Sequence, residues 1–117
     1  MQSFDSRFAN FKKPKREDQL VIVGRVEDVP TGRAATLELP TGMELALYNV
    51  NGEFYAIENF CPHKGAPLAS GHLCGHEVEC DWHGWRFDVR TGECLTNTGA
   101  VETYEVIIED GWIKIRI

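Results

Sequence analysis

From Gln19 to Ile117 the chain is a succession of short runs in which apolar, β-branched and aromatic residues alternate with polar ones or cluster between turn formers. Runs of about four to eight such residues, bounded by Gly, Pro, Asn and Asp, predict β-strands. The pattern places strands at Leu20–Val23, Ala35–Leu39, Glu44–Asn49 and Glu53–Glu58, and again at Thr103–Glu109 and Trp112–Ile117. Asn51-Gly52 joins one pair of runs and Asp110-Gly111 another; both dipeptides tolerate the positive φ of a tight hairpin turn. In the last run Trp112, Lys114 and Arg116 alternate with Ile113, Ile115 and Ile117, which predicts a strand with one face inside. The only helical hint is the weak spacing of Phe4, Phe8 and Phe11 near the start. The body therefore reads as all-β, an antiparallel barrel or sandwich.

Between Asn59 and about Asn97 the pattern changes. Loops rich in Gly, Pro, Cys and His surround two short strand candidates, His76–Cys80 and Trp85–Val89, and Arg90-Thr91-Gly92 turns the chain after the second. This predicts a small subdomain, about 59–97, inserted into the larger β body, with its functional side chains at loop tips fixed by strands.

That region holds the candidate chemistry. Cys61-Pro62-His63 is followed, after 16 residues, by Cys80-Asp81-Trp82-His83. Each segment offers one soft thiolate and one imidazole from a single tight loop, and Gly65 and Gly84 let backbone amides approach an anionic group. Zinc could take two Cys and two His, yet structural zinc sites pair like ligands two to four residues apart, an order this chain fits poorly. An all-cysteine cluster would recruit Cys74 and Cys94, whose spacings do not match the plant-type run. Those two cysteines are expected to be small apolar core fillers, and His72 and His76 to serve turns or the surface. Two matched Cys/His loops instead look like the ligand set of a Rieske centre, in which two thiolates hold one iron and two imidazoles the other.

At 117 residues the chain is one domain, able to bury about two-thirds of its unfolded surface. Residues 1–16 carry five basic side chains against Asp5, a net +4, whereas residues 17–117 carry seven basic and seventeen acidic ones, a net −10. A basic tail, 1–18, on an acidic body 19–117 is by default a solvated terminus. The acidic body argues against nucleic acid and for encounter with basic protein surfaces. No apolar stretch approaches the roughly 18 to 20 residues of a membrane span, and the start lacks the apolar core of a secretory signal. A soluble, cytoplasmic protein is expected, in a reducing compartment that suits unpaired cysteines.

With both motifs in hand, Gln19–Ile117 resembles the soluble Rieske-type ferredoxins that serve bacterial aromatic-ring-hydroxylating dioxygenases. Besides the two ligand loops, the stretches carrying the resemblance are Val26–Pro30, Tyr48–Ala56 and Arg86–Gly92. The resemblance implies a Rieske-type fold and one [2Fe-2S] cluster per chain. Cys61 and Cys80 would bind the inner iron, and His63 and His83 the outer iron near the surface. It implies no catalysis on this chain, but one-electron transfer from a flavin-dependent NAD(P)H reductase to a terminal Rieske non-haem iron oxygenase. Alternatives are a Rieske-like small subunit of a larger redox enzyme such as nitrite reductase, or a zinc-stabilised interaction domain.

The chain also departs from its relatives. High-potential Rieske proteins of respiration and photosynthesis carry an extra disulfide between the two loops, where this chain has Ala66 and Trp82. They also place a serine and a tyrosine where it has Trp85 and Phe87. Hydrogen bonds to sulfur stabilise the reduced cluster, so their absence predicts a potential toward the low end of the Rieske range, about −150 to +300 mV. The stretch Thr96–Ala100, where relatives have a proline-marked cover, has no proline.

Overall fold

The seven residues Glu44–Val50 form a strand of which only the first residue is exposed. A strand turns alternate side chains to opposite faces, so burial of six in a row means that both faces are covered. Leu45 and Leu47 face one apolar cluster, together with Ala56, Tyr104, Ile113 and Ile115. Ala46, Tyr48 and Val50 face a second, with Ile57, Val78 and Phe87. The two clusters account for the layering of the described residues.

The computed structural model describes residues 18–61, 67–81 and 84–117. Among the described residues there are ten strands: β1 (Leu20–Arg25), β2 (Ala34–Glu38), β3 (Glu44–Val50), β4 (Glu53–Glu58), β5 (His72–Cys74), β6 (Glu77–Glu79), β7 (Arg86–Asp88), β8 (Thr103–Tyr104), β9 (Val106–Glu109) and β10 (Trp112–Arg116). They form three antiparallel sheets, ordered β1-β10-β9, β2-β3-β4-β8 and β5-β6-β7. The first two sheets share the cluster around Leu45 and Ile115, which makes the body a sandwich. The third, small sheet covers the outer face of β3 and β4 through the cluster around Tyr48 and Phe87.

Both expected hairpins are present. Asn51 and Gly52 have φ of 54° and 92°, and Asp110 and Gly111 have 54° and 80°, the positive-φ pair that a two-residue turn between twisted strands demands. Asn49 reinforces the first: its side-chain amide donates to the Val29 carbonyl at 2.7 Å and its oxygen accepts the Gly52 N–H at 2.8 Å. This satisfies a polar side chain that is only 6 % exposed.

Three elements differ from the sequence reading. His72–Cys74 is a strand, where a loop was expected, because Gly75 (φ 62°) turns the chain so that His72 pairs with Glu79 and Cys74 with Glu77. The expected strand His76–Cys80 is correspondingly trimmed to Glu77–Glu79. The run Thr103–Glu109 divides at Glu105, since Thr103 and Tyr104 pair with β4 whereas Val106–Glu109 pairs with β10. An unbroken apolar alternation hides the point at which a strand leaves one sheet for another. Among the described residues no helix is long and apolar enough to cross a membrane.

Candidate metal centre

The first candidate loop leaves β4 through Asn59 and Phe60 to Cys61, and the described chain resumes at Pro67 in a short 3₁₀ turn, Leu68–Ser70. Both ends of this loop are fastened to the face of the sheet. The Asn59 N–H donates to the Glu44 carbonyl at 3.1 Å. Its side-chain oxygen accepts the Ala69 N–H at 2.7 Å, and its amide donates to a Glu44 carboxylate oxygen at 3.3 Å. From β3, the Tyr48 hydroxyl donates to the Leu68 carbonyl at 2.8 Å. Burial, and then the charge of Cys80, hold the Tyr48 phenol above its usual range, so it stays a protonated donor at every physiological pH.

The second loop follows β6. The Cys80 N–H donates to the Trp85 carbonyl at 2.7 Å, which closes the turn, and Gly84 takes φ +72° within it. Gly71 lies so close to the Glu79 carbonyl oxygen that a Cβ there would collide with it. The end of the first loop and the start of the second are thus in backbone contact. A third segment packs on β7: Phe87 bridges Cys94, the Leu95 N–H donates to the Arg86 carbonyl at 2.7 Å, and Thr96 Oγ1 accepts the Arg86 N–H at 3.2 Å.

This frame places the two candidate thiols in one buried cluster. Cys61 and Cys80, 0 % and 1 % exposed, belong to one buried cluster with Tyr48, Leu68, Val78 and Phe87. No disulfide involves either of them. His63 and His83 lie outside the described residues, as do Gly65, Ala66 and Trp82. Among the described residues no three His, Cys, Asp or Glu side chains gather into a metal site.

The other candidates separate. Cys94 is buried, as a core filler should be, with its sulfur 3.7 Å from Thr96 Oγ1. Cys74 is exposed on β5, an edge strand, which corrects its expected place in the core. The register explains it: Leu73 pairs with Val78 and turns inward, so its neighbours turn out. His72 is exposed, and His76 meets the Tyr55 ring edge-on at a centroid distance of 5.6 Å. Asn59 carries no motif signal in the sequence, and Tyr48 stands out there only as the first residue of a family-like stretch. Only the fold reveals that they clamp the first loop.

Comparison with known proteins adds to this geometry. The family model of the Rieske [2Fe-2S] domain matches residues 19–105. The chain belongs to the Rieske [2Fe-2S] domain family. Among curated Rieske relatives, the ferredoxin component of the p-cumate 2,3-dioxygenase system of Pseudomonas putida is 40 % identical over 101 residues, covering 84 % of this chain and 86 % of that protein. Among solved structures, a ferredoxin of Sphingomonas yanoikuyae B1 superposes with a TM-score of 0.78 at 34 % identity, over 85 % of this chain and 99 % of that one. A chain from a complex of reduced oxygenase and oxidized ferredoxin in carbazole 1,9a-dioxygenase gives a TM-score of 0.80 at 29 % identity, over 86 % and 94 %.

The protein is thus a Rieske-type ferredoxin, an electron carrier rather than a catalyst, and its cofactor is a Rieske-type [2Fe-2S] cluster. The residues present fit that group. A Rieske centre needs two thiolates on one iron, and the fold buries two thiols, one from each loop, in one apolar cluster. Buried thiols that make no disulfide are otherwise inert.

Proposed function

We propose that Cys61 and Cys80 hold one iron and His63 and His83 the other, within a cluster-binding unit of about residues 59–97 carried by the domain 19–117. We further propose that the protein carries electrons in the cytoplasm from a flavin-dependent NAD(P)H reductase to a terminal Rieske non-haem iron oxygenase. The observation that carries the ligand assignment is the convergence of two buried thiols from two separate loops on one cluster of side chains. The partner assignment draws support from the p-cumate relative, named as a ferredoxin component of a dioxygenase system, and from the carbazole ferredoxin, whose structure is a complex with its oxygenase.

When bound, the cluster takes up and gives up one electron. The chain's residues do the rest. Tyr48 and Asn59 hold the first loop to β3, the Cys80 N–H holds the second, and Phe87, Val78 and Leu68 keep water from the thiols. The side chains also bear on the potential. Phe87 is fully buried in the thiol cluster and has no hydroxyl, and the Tyr48 hydroxyl in the same cluster is engaged by the Leu68 carbonyl. Hydroxyl donors to sulfur raise a Rieske potential. A value toward the lower end of about −150 to +300 mV is therefore expected, suited to electrons from a nicotinamide-fed flavoprotein.

The test is spectroscopic. C61S and C80S should each abolish the visible chromophore of anaerobically purified protein, and a normal spectrum from either would overturn the thiolate assignment. In H63C or H83C, any cluster that assembles should show a lower potential, because an anionic ligand replaces a neutral one. An unchanged potential would remove the imidazoles from the ligand set.

A further inference from the structure

Glu79 ends β6 one residue before Cys80, and it touches the segments that close both loops. Its carbonyl oxygen occupies the space that a Cβ on Gly71 would need, just beyond the first loop. Its side chain reaches across the second loop: a Cβ on Gly84 would lie 3.2 Å from Glu79 Oε2. Gly84 follows His83 in the chain, so the backbone of Glu79 leads into one proposed ligand while its carboxylate lies beside the neighbour of another. The fold fixes where this side chain points. Val78 is fully buried, so strand alternation turns Glu77 and Glu79 to the outer face. There Glu79 stands between His72 on β5 and Arg86 on β7 in the strand register. The Arg86 guanidinium lies 3.9 Å from Glu77 instead. Among the described residues no cation forms an ion pair with Glu79.

We propose that Glu79 helps to set the protein's redox potential, by holding a negative charge against the second ligand loop. The proposal rests on the electron-carrier reading and its ligand set. It adds a charged side chain as a cause of low potential, beside the hydroxyl that Phe87 lacks. Reduction puts one further negative charge on the group that this loop holds. A carboxylate fixed next to the loop repels that charge, so the reduced form is destabilised more than the oxidised one. A less favourable reduction is a lower potential. The inner side of the loop faces Leu68, Val78 and Phe87, a low-dielectric neighbourhood that screens charge poorly. The outer side faces solvent, so added salt weakens the effect without abolishing it. Glu79 therefore acts through its charge and its place, with no bond made or broken.

The experiment is a potential titration of anaerobically purified holo-protein, followed by visible absorbance at about pH 8, above the ordinary histidine range. Wild type is compared with E79Q, E79D, H72K and E109Q. Glutamine keeps the shape of Glu79 and removes its charge, and aspartate keeps the charge. H72K leaves Glu79 in place and sets an ammonium across from it, within the reach of a cross-strand pair. E109Q removes one charge from β9, in another sheet, and so changes the net charge as E79Q does. At about 20 mM ionic strength the equilibrium constant for reduction should rise about threefold in E79Q, a shift of about +30 mV at about 59 mV per tenfold for one electron. H72K should move in the same direction, and it decides the matter should E79Q fail to assemble a cluster. E79D and E109Q should each stay within about 1.5-fold of wild type, and the E79Q difference should shrink near 500 mM salt. E79Q no different from E109Q, E79D shifted as far as E79Q, or H72K unmoved would overturn the role of Glu79 and leave the carrier reading intact. A wild-type protein with no reversible one-electron reduction would overturn the reading beneath it.

Discussion

Asn59 makes two side-chain hydrogen bonds at the site, and replacing it exposes what the first loop depends on. In N59A the Ala69 N–H loses its acceptor at 2.7 Å, and Glu44 loses a donor at 3.3 Å. Asn59 is 6 % exposed, so water cannot readily replace what is removed. An orphaned buried donor costs about 1–3 kcal/mol. Glu44, being exposed, recovers its hydration. A net destabilisation of about 2 kcal/mol follows, and for a domain of this size each kcal/mol lowers Tm by about 3–6 °C, giving a loss of about 6–12 °C. The assay is thermal melting of the holo-protein at one fixed scan rate, followed by visible absorbance and by far-UV circular dichroism. Because the clamp closes the loop bearing Cys61, the chromophore should be lost at lower temperature than the strands. N59D sharpens the test: it keeps the acceptor for Ala69 but sets a second carboxylate against Glu44. Its pKa in the folded state is raised by that neighbour. The native state then binds more protons than the unfolded one, so stability falls as pH rises from about 4 through the raised value. At low pH N59D should approach wild type and at neutral pH it should resemble N59A. A melting point for N59A within about 2 °C of wild type, or an N59D deficit independent of pH, would refute the clamp.

Two further substitutions probe the same frame. Y48F removes only the hydroxyl that reaches the Leu68 carbonyl; with shape preserved, the loss should be about 1–2 kcal/mol in a urea midpoint, and no loss would show that the bond does not anchor the loop. Asp88 accepts two hydrogen bonds from the Arg90 guanidinium and one from its N–H, chiefly the first of which holds its carboxyl below the usual range. That lowered value stabilises the fold above the ordinary carboxylate pKa and stops doing so as pH falls through the folded-state value. The stability gap between wild type and D88N should therefore be full at pH 7 and close below about pH 4; a gap that persists in acid would assign the effect to packing.

Much of the body was legible because strand alternation and turn chemistry are local. Asn51-Gly52 and Asp110-Gly111 announce hairpins in four residues of context, and the structure has both. The family, the cofactor and the carrier role were legible for a different reason: two Cys/His loops with matched spacing constrain the chemistry even without a fold. What failed to show was whatever depends on the third dimension. The break at Glu105 follows from two sheets competing for adjacent residues, and β5 from a turn at Gly75 that brings a polar, unpatterned stretch against β6.

The same distinction separates the ligand candidates from the residues that hold them. A ligand is chosen by its element-binding atom, so cysteine and histidine advertise themselves. A clamp is chosen by reach, and any side chain with a donor or acceptor at the right height on β3 would serve. Tyr48 and Glu44 belong to the same strand as Leu45 and Leu47, and periodicity assigns them to it without saying that one reaches Leu68 and the other Asn59. Because β3 is buried on both faces, any shift of it would disturb two cores at once. Hanging the first loop on it couples the position of Cys61 to a strand packed on both faces. An electron carrier gains from that rigidity, since ordering left to the moment of encounter costs binding free energy.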